Sequence, residues 1–344
     1  MKITQEMSLR MRGVAIILIC LHNLLHLDSY VMECEFAFMD YRVHRLTRCF
    51  SFTSGTSVEF FFSFFGWYGV PLFMFMSGYG LATKYERPGV GLQVWPFLKR
   101  HFVKLWLLMA PAYLLFLVAE GWMNDYTPDI PTLISQLTLT HNFWDAEGIR
   151  PGVYWYFGLT MQFYIWYLLF YYLRSEKVLW TAFAVTLAVG EYFALSAPDS
   201  PTHFLLRHNS LLWLPVFLMG IWMSRHADHQ LLRWMMRFRW VLAPVVTLLW
   251  VYTSVHVSIW VLSPLLAVIL LLLLCGGNGR SRLFGYIGGI SAGVFVCHPI
   301  LRVFARPLIQ QGYDKFWVCL VYTMACLFMA ALYMRFVNRK LMSR

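Results

Sequence analysis

The sequence predicts an all-α integral membrane protein: a bundle of about ten transmembrane helices, both termini cytoplasmic, in a single domain over residues 1–344. Three observations predict it. Of the residues, 59% are hydrophobic and only 13% charged, whereas soluble domains run nearer half apolar and a quarter charged. Apolar stretches of roughly 20 residues, the length that crosses a bilayer core, recur along the whole chain. Basic residues gather in alternate connections, which is the positive-inside pattern.

The expected spans run approximately 11–30, 57–83, 98–121, 154–174, 178–196, 210–225, 240–256, 258–276, 284–305 and 315–337. With a cytoplasmic N-terminus, 20 of the 28 Lys and Arg fall on the cytoplasmic side. Of the 17 acidic residues only Glu6, Glu86, Glu176 and Asp228 do. The basic N-terminus leads into an apolar run without a small-residue cleavage site, so it reads as an uncleaved first span. The expected location is the inner (cytoplasmic) membrane of a bacterium, multi-pass. The net charge of +11 is scattered over short loops, with no zinc-finger spacing and no aromatic RNA motif. Membrane lipids are expected partners and nucleic acid is not. None of the seven cysteines forms a CxxC pair. Five fall in spans and read as small hydrophobes; Cys34 and Cys49 flank an outer polar segment, where a disulfide stays open.

Span one carries RGVAIILICLHNLLH from Arg12 to His26. Ionisable groups within a span are costly and point to function. His22 and His26, four apart, share one helix face. With Arg12 at the water boundary, His22 lies roughly 15 Å further on, near mid-membrane. Span two ends in GVPLFMFMSGYGLATKYE. Its small residues Ser77 and Gly78 suit either helix packing or a smooth wall beside a thin acyl or pantetheine chain. Span three opens with Lys99, Arg100, His101 and Lys104, suited to lipid headgroups or to nucleotide phosphates. Span four opens in an aromatic girdle, where Trp155 and Tyr156 anchor an interface or stack on a sugar and Gln162 is the polar exception. Span nine carries Cys297-His298-Pro299, with His298 either structural or facing substrate. Two long outer segments, about 31–56 and 122–153, mix charges and aromatics and suit a polar acceptor or plain water. The histidines are scattered in sequence, so no metal site is expected.

Together RGVAIILICLH, GVPLFMFMSGYGL, FLKRHFVKLWLLMAP, YWYFGLTMQFY and IGGISAGVFVCHPIL resemble, in order and spacing, the acyltransferase-3 family of bacterial membrane O-acyltransferases. The resemblance covers nearly the whole chain. It implies transfer of an acyl group, acetyl foremost, from cytoplasmic acyl-CoA to a hydroxyl of an extracytoplasmic glycan, lipid-linked sugar or related glycoconjugate. The family's first span sets ten residues between an arginine and a histidine. Here Arg12 and His22 enclose nine, and Asn23 stands at the usual place. Thr160 and Met161 stand where the family often has a glutamate.

The expected mechanism makes His22 the base or the acyl acceptor, with His26 or Asn23 orienting it or stabilising the oxyanion. Arg12, Lys99, Arg100 and Lys104 would hold the phosphates of acetyl-CoA, with Ser77 and Gly78 beside its arm. Trp155, Tyr156, Gln162 and His298 would meet the acceptor. The alternatives are a membrane carrier or flippase for a glycan or small polar solute, since buried His and Asn also suit a permeation path, and a glycan polymerase with large outer loops. Carriers often show an internal repeat, which this chain lacks.

Overall fold

A computed structural model of the chain describes residues 2–26, 32–49, 57–89, 91–145, 148–276 and 281–342. Every regular element among these residues is helical. α1 (Gln5–Leu25) starts at Thr4, whose hydroxyl accepts the Met7 amide at 3.1 Å, a side-chain cap for an orphan donor. The charged α2 (Asp40–Cys49) follows. α3 (Ser57–Phe65) and α4 (Gly69–Tyr85) form the second span, broken by a 3-10 turn at Gly66–Tyr68. α5 (Val94–Asn124) is the longest helix, and α6 (Ile130–Leu137) lies in the second outer segment. Then come α7 (Trp155–Leu173), α8 (Glu176–Ser196), the short α9 (Pro201–His208), α10 (Leu214–Arg225), α11 (Gln230–Arg237) and α12 (Arg239–Ser254). α13 (Ser263–Cys275), α14 (Arg282–Gly289), α15 (Ser291–Gln310) and α16 (Lys315–Met342) complete the chain.

Each expected span falls on a helix, but among the described residues seven helices, not ten, are long and apolar enough to cross a membrane. The differences have physical causes. α7 is so rich in Trp and Tyr, rings with a polar handle, that its hydropathy falls short. α10 has only 12 residues. α11 and α12 bend by 94° at Phe238, so they count together or not at all. The expected reach of span one to residue 30 falls on 27–30, outside the described residues, as do residues 50–56 and Glu147 of the outer segments. Cys34 is a buried free thiol, and the side chain of Cys49 also lies outside the described residues.

Polar pairs sort the connections to two ends of the bundle. At one end Arg225, closing α10, pairs with Glu86 at 2.9 Å and Glu176 at 3.6 Å. At the other, Lys315 meets Glu59 at 3.0 Å, and Arg207 donates to the Glu35 carbonyl. The N-terminus of α1 lies with the first group, because the Ile3 amide donates to the Tyr79 hydroxyl near the end of α4, at 2.9 Å. α4 and α10 cross closely. A Cβ on Gly78 would collide with the Phe217 carbonyl, and one on Gly220 with that of Phe75. Small residues are what allow membrane helices to approach so closely.

Candidate active site

α1 places the central groups. At about 100° per residue, Ser8, Arg12, Ile19, His22 and His26 fall within roughly a quarter of its circumference. The helix begins seven residues before Arg12, and His22 sits in its last turn. His22 is buried and its Nδ1 lies 3.0 Å from the Ser63 carbonyl. A carbonyl only accepts, so Nδ1 carries the proton and Nε2 keeps the lone pair. His26 repeats the pattern, its Nδ1 donating to the His22 carbonyl at 2.9 Å. The two rings stack 4.6 Å apart and 11° from parallel.

The break in the second span makes room for this. Gly66 faces His22, and a Cβ there would stand 2.6 Å from the His22 Cβ and 2.7 Å from the Leu18 carbonyl. The Ser63 carbonyl, in the last turn of α3 just before this 3-10 turn, meets the ring.

Glu33 arrives from the first outer segment. One ligand-type atom from each of His22, His26 and Glu33 lies within 4.8 Å of the others. Arg207 fixes this segment from the far side. Its guanidinium sits 4.0 Å from the Trp213 ring centre and 4.5 Å from that of Trp260, and donates to the Glu35 carbonyl. Burial alone would raise the Glu33 carboxyl. The nearby His26 and His22 outweigh it and hold the group below the usual carboxylate range. Beside the cluster, Arg302 reaches from α15 to the Asn23 carbonyl and side-chain oxygen, both at 3.2 Å. The Asn23 amide donates to the Ile19 carbonyl at 2.9 Å.

A cavity of about 620 Å³ runs along the same stripe of α1, within the range of small-molecule sites. Its α1 wall extends from Gln5 past Ser8 and Arg12 to Ile19, one turn short of His22. Along α4 it spans Val70 to Lys84, about 21 Å at 1.5 Å per residue. Arg12, Lys84 and Arg87 give its N-terminal end a positive rim, and its depth is apolar. The Arg12 Nε is buried with no hydrogen-bond partner among the described residues.

A family profile described as an acyltransferase domain matches residues 10–335. The chain belongs to the acyltransferase-3 family. No curated protein and no solved structure matches it.

Within this acyltransferase the expected site residues separate. His22, His26 and Asn23 meet at one end of the bundle. Arg12 and Ser77 line the cavity, whereas Gly78 lies at the crossing with α10. Lys99, Arg100 and Lys104 are exposed on the first turns of α5 and do not line the cavity, and Lys84 and Arg87 do. Tyr156 lines the cavity, while Trp155 is 4% exposed and packs on His208 and Trp213. Gln162 clamps α7 to the turn before α10: its Nε2 donates to Asn209 at 2.6 Å and its Oε1 accepts from Ser210. His298 is buried one turn before Arg302, its Nδ1 donating to the Val294 carbonyl at 3.1 Å.

Sequence reasoning missed Glu33, Arg302, Lys84 and Arg87 as site residues. Two of them carried a signal. Arg302 follows His298 by four and Lys84 follows Ser77 by seven, both spacings that share a helix face. Glu33 carried none, because its approach to His22 depends on how the outer segment folds back.

Proposed function

We propose that this acyltransferase moves an acyl group, acetyl foremost, from cytoplasmic acyl-CoA to a hydroxyl of an extracytoplasmic glycan or lipid-linked sugar. The observation that carries the reading is the cavity with a basic rim, whose α1 wall ends at Ile19, one helical turn from His22. Positive loops favour a cytoplasmic N-terminal end, which puts the rim on the side of the coenzyme.

Arg12, Lys84 and Arg87 hold the phosphates through charge-assisted hydrogen bonds. The pantetheine arm follows the apolar depth past Ser77 and Tyr156. The acceptor hydroxyl approaches from the Glu33 side. Its oxygen attacks the thioester carbon while His22 Nε2 takes its proton. The Glu33 carboxylate offsets the charge on the imidazolium, and the Ser63 carbonyl keeps the ring in the reactive tautomer. Arg302, held by Asn23, stabilises the oxyanion. As the C–S bond breaks, the imidazolium returns the proton to the departing sulfur.

The test is His22→Ala in membranes, with protein amount matched and acyl transfer from radiolabelled acetyl-CoA to endogenous glycan measured. Loss of transfer by about 100-fold or more is expected, the usual worth of a general base. Full transfer would refute the assignment.

A further inference from the structure

The end of α1 has the geometry of a metal site, which neither the family nor the proposed reaction requires. His22 and His26 are four apart on one helix face, the spacing by which helical histidine pairs hold zinc. Their Nδ1 atoms are both spent on backbone carbonyls, at 3.0 and 2.9 Å. Ligating imidazoles are anchored in this way, with the opposite nitrogen directed at the ion. The rings stack 4.6 Å apart, with one ring nitrogen of each within 4.8 Å of a Glu33 carboxylate oxygen, and a shared ion asks the two ring planes to tilt toward it. Glu33 completes the set from another segment, and its Oε2 is buried with no hydrogen-bond partner among the described residues. A buried, unpartnered carboxylate oxygen is costly and calls for a cation.

We propose that His22, His26 and Glu33 bind a divalent transition-metal ion of the zinc class, and that the bound ion blocks acyl transfer. The three ligand atoms stand within 4.8 Å of one another. Zinc bonds of about 2.0–2.2 Å in a tetrahedron need them about 3.4 Å apart, a closure of rotamer size. Two nitrogens and one oxygen suit zinc, whereas calcium and magnesium want oxygen alone. The fourth position is left for water or a hydroxyl. The block rests on the reading of His22 as the base: an ion on Nε2 takes the lone pair that accepts the proton. The binding itself does not rest on that reading. The ion would arrive through the half-buried His26, from the acceptor side.

The experiment uses the full chain in lipid nanodiscs, stripped of metal by chelator and titrated with Co²⁺. One Co²⁺ per chain with the intense visible absorption of a tetrahedral site is expected, displaced by Zn²⁺. Glu33→Gln and His26→Gln should each weaken Co²⁺ at least tenfold while the protein elutes as a monodisperse species, and Arg87→Ala should not. No uptake by the wild type, or undiminished uptake in both ligand variants, would overturn the site. In the transfer assay Zn²⁺ should inhibit the wild type, and chelator should reverse it. Uptake without inhibition would overturn the block. If His22→Ala keeps full transfer while the wild type binds Co²⁺, the base assignment falls and the site stands. If His22→Ala is inactive and the wild type takes up no Co²⁺, the site falls alone.

Discussion

Gly66→Ala is the substitution in which packing and chemistry meet. Its added methyl would stand 2.6 Å from the His22 Cβ and 2.7 Å from the Leu18 carbonyl oxygen. Carbon pairs rest at about 3.5–4.0 Å, so α1 and the turn at Gly66 must part by about 1 Å. Overpacking of this kind costs about 1–3 kcal/mol of stability. The chemical cost is of similar size, since a misplacement of about 1 Å can lower a rate about 100-fold, or about 2.7 kcal/mol of barrier. The same movement carries the Ser63 carbonyl off the imidazole and releases its tautomer. Two measurements on detergent-purified protein and matched membranes are needed: thermal unfolding and the acyl-transfer rate. Gly285→Ala is the control, because a Cβ there meets nothing within 4 Å. The expected outcome is a modest fall in unfolding temperature with a rate lowered by one to two orders of magnitude, against little change for Gly285→Ala. A Gly66→Ala protein with wild-type stability and rate would refute the claim that this contact positions His22.

Two further outcomes follow from the cavity and from the outer segment. Lys84→Ala and Arg87→Ala should each raise the KM for acyl-CoA about tenfold, the loss of one charge-assisted hydrogen bond of roughly 1.5 kcal/mol, with little change in kcat; Lys99→Ala should leave the KM near wild type, as checked by initial rates over a range of acyl-CoA. His208, buried at the end of α9 and stacked on Phe36 of the first outer segment at 3.9 Å, is held down to about 4 by burial and then by Arg207. A histidine with a depressed folded pKa favours the neutral form, so its stabilising share is full above about pH 6.5 and is lost as pH falls toward about 4. At about pH 5.5 the deficit is about 1.4 kcal/mol, and thermal unfolding between about pH 7 and 5 should fall less steeply in His208→Phe than in the wild type.

What the sequence made legible depends on whether one helix carried the information. The His22–His26 pair was readable, because a spacing of four on one helix fixes a shared face, whereas the place of Arg12 on the same stripe emerged only with the cavity it lines. The place of His22 in the last turn of that helix was not readable, since it depended on where the helix starts and ends. The ten expected apolar segments all fall on helical stretches, but hydropathy does not register the bend at Phe238 or the brevity of α10. Neighbours on α7 show the limit most sharply. Trp155 and Tyr156 read alike as girdle aromatics, yet about 100° of helix separates them, so one packs against Trp213 and the other faces the cavity.

The grouping that matters most crosses segments. Lys99, Arg100 and Lys104 are the denser basic cluster in sequence, but they lie on the exposed face of α5, whereas Lys84 and Arg87 stand at the end of the helix whose flank forms the cavity wall. Density of charge is a property of the chain; a binding rim is a property of the cavity. The same reasoning applies to Glu33. Nothing in its neighbours marks it, and its place beside His22 depends on Arg207 gripping the Glu35 carbonyl between two tryptophans from distant parts of the chain. His22 and Glu33 are thus positioned by separate structures, α1 with its facing glycine and the outer segment gripped by the buried arginine of α9.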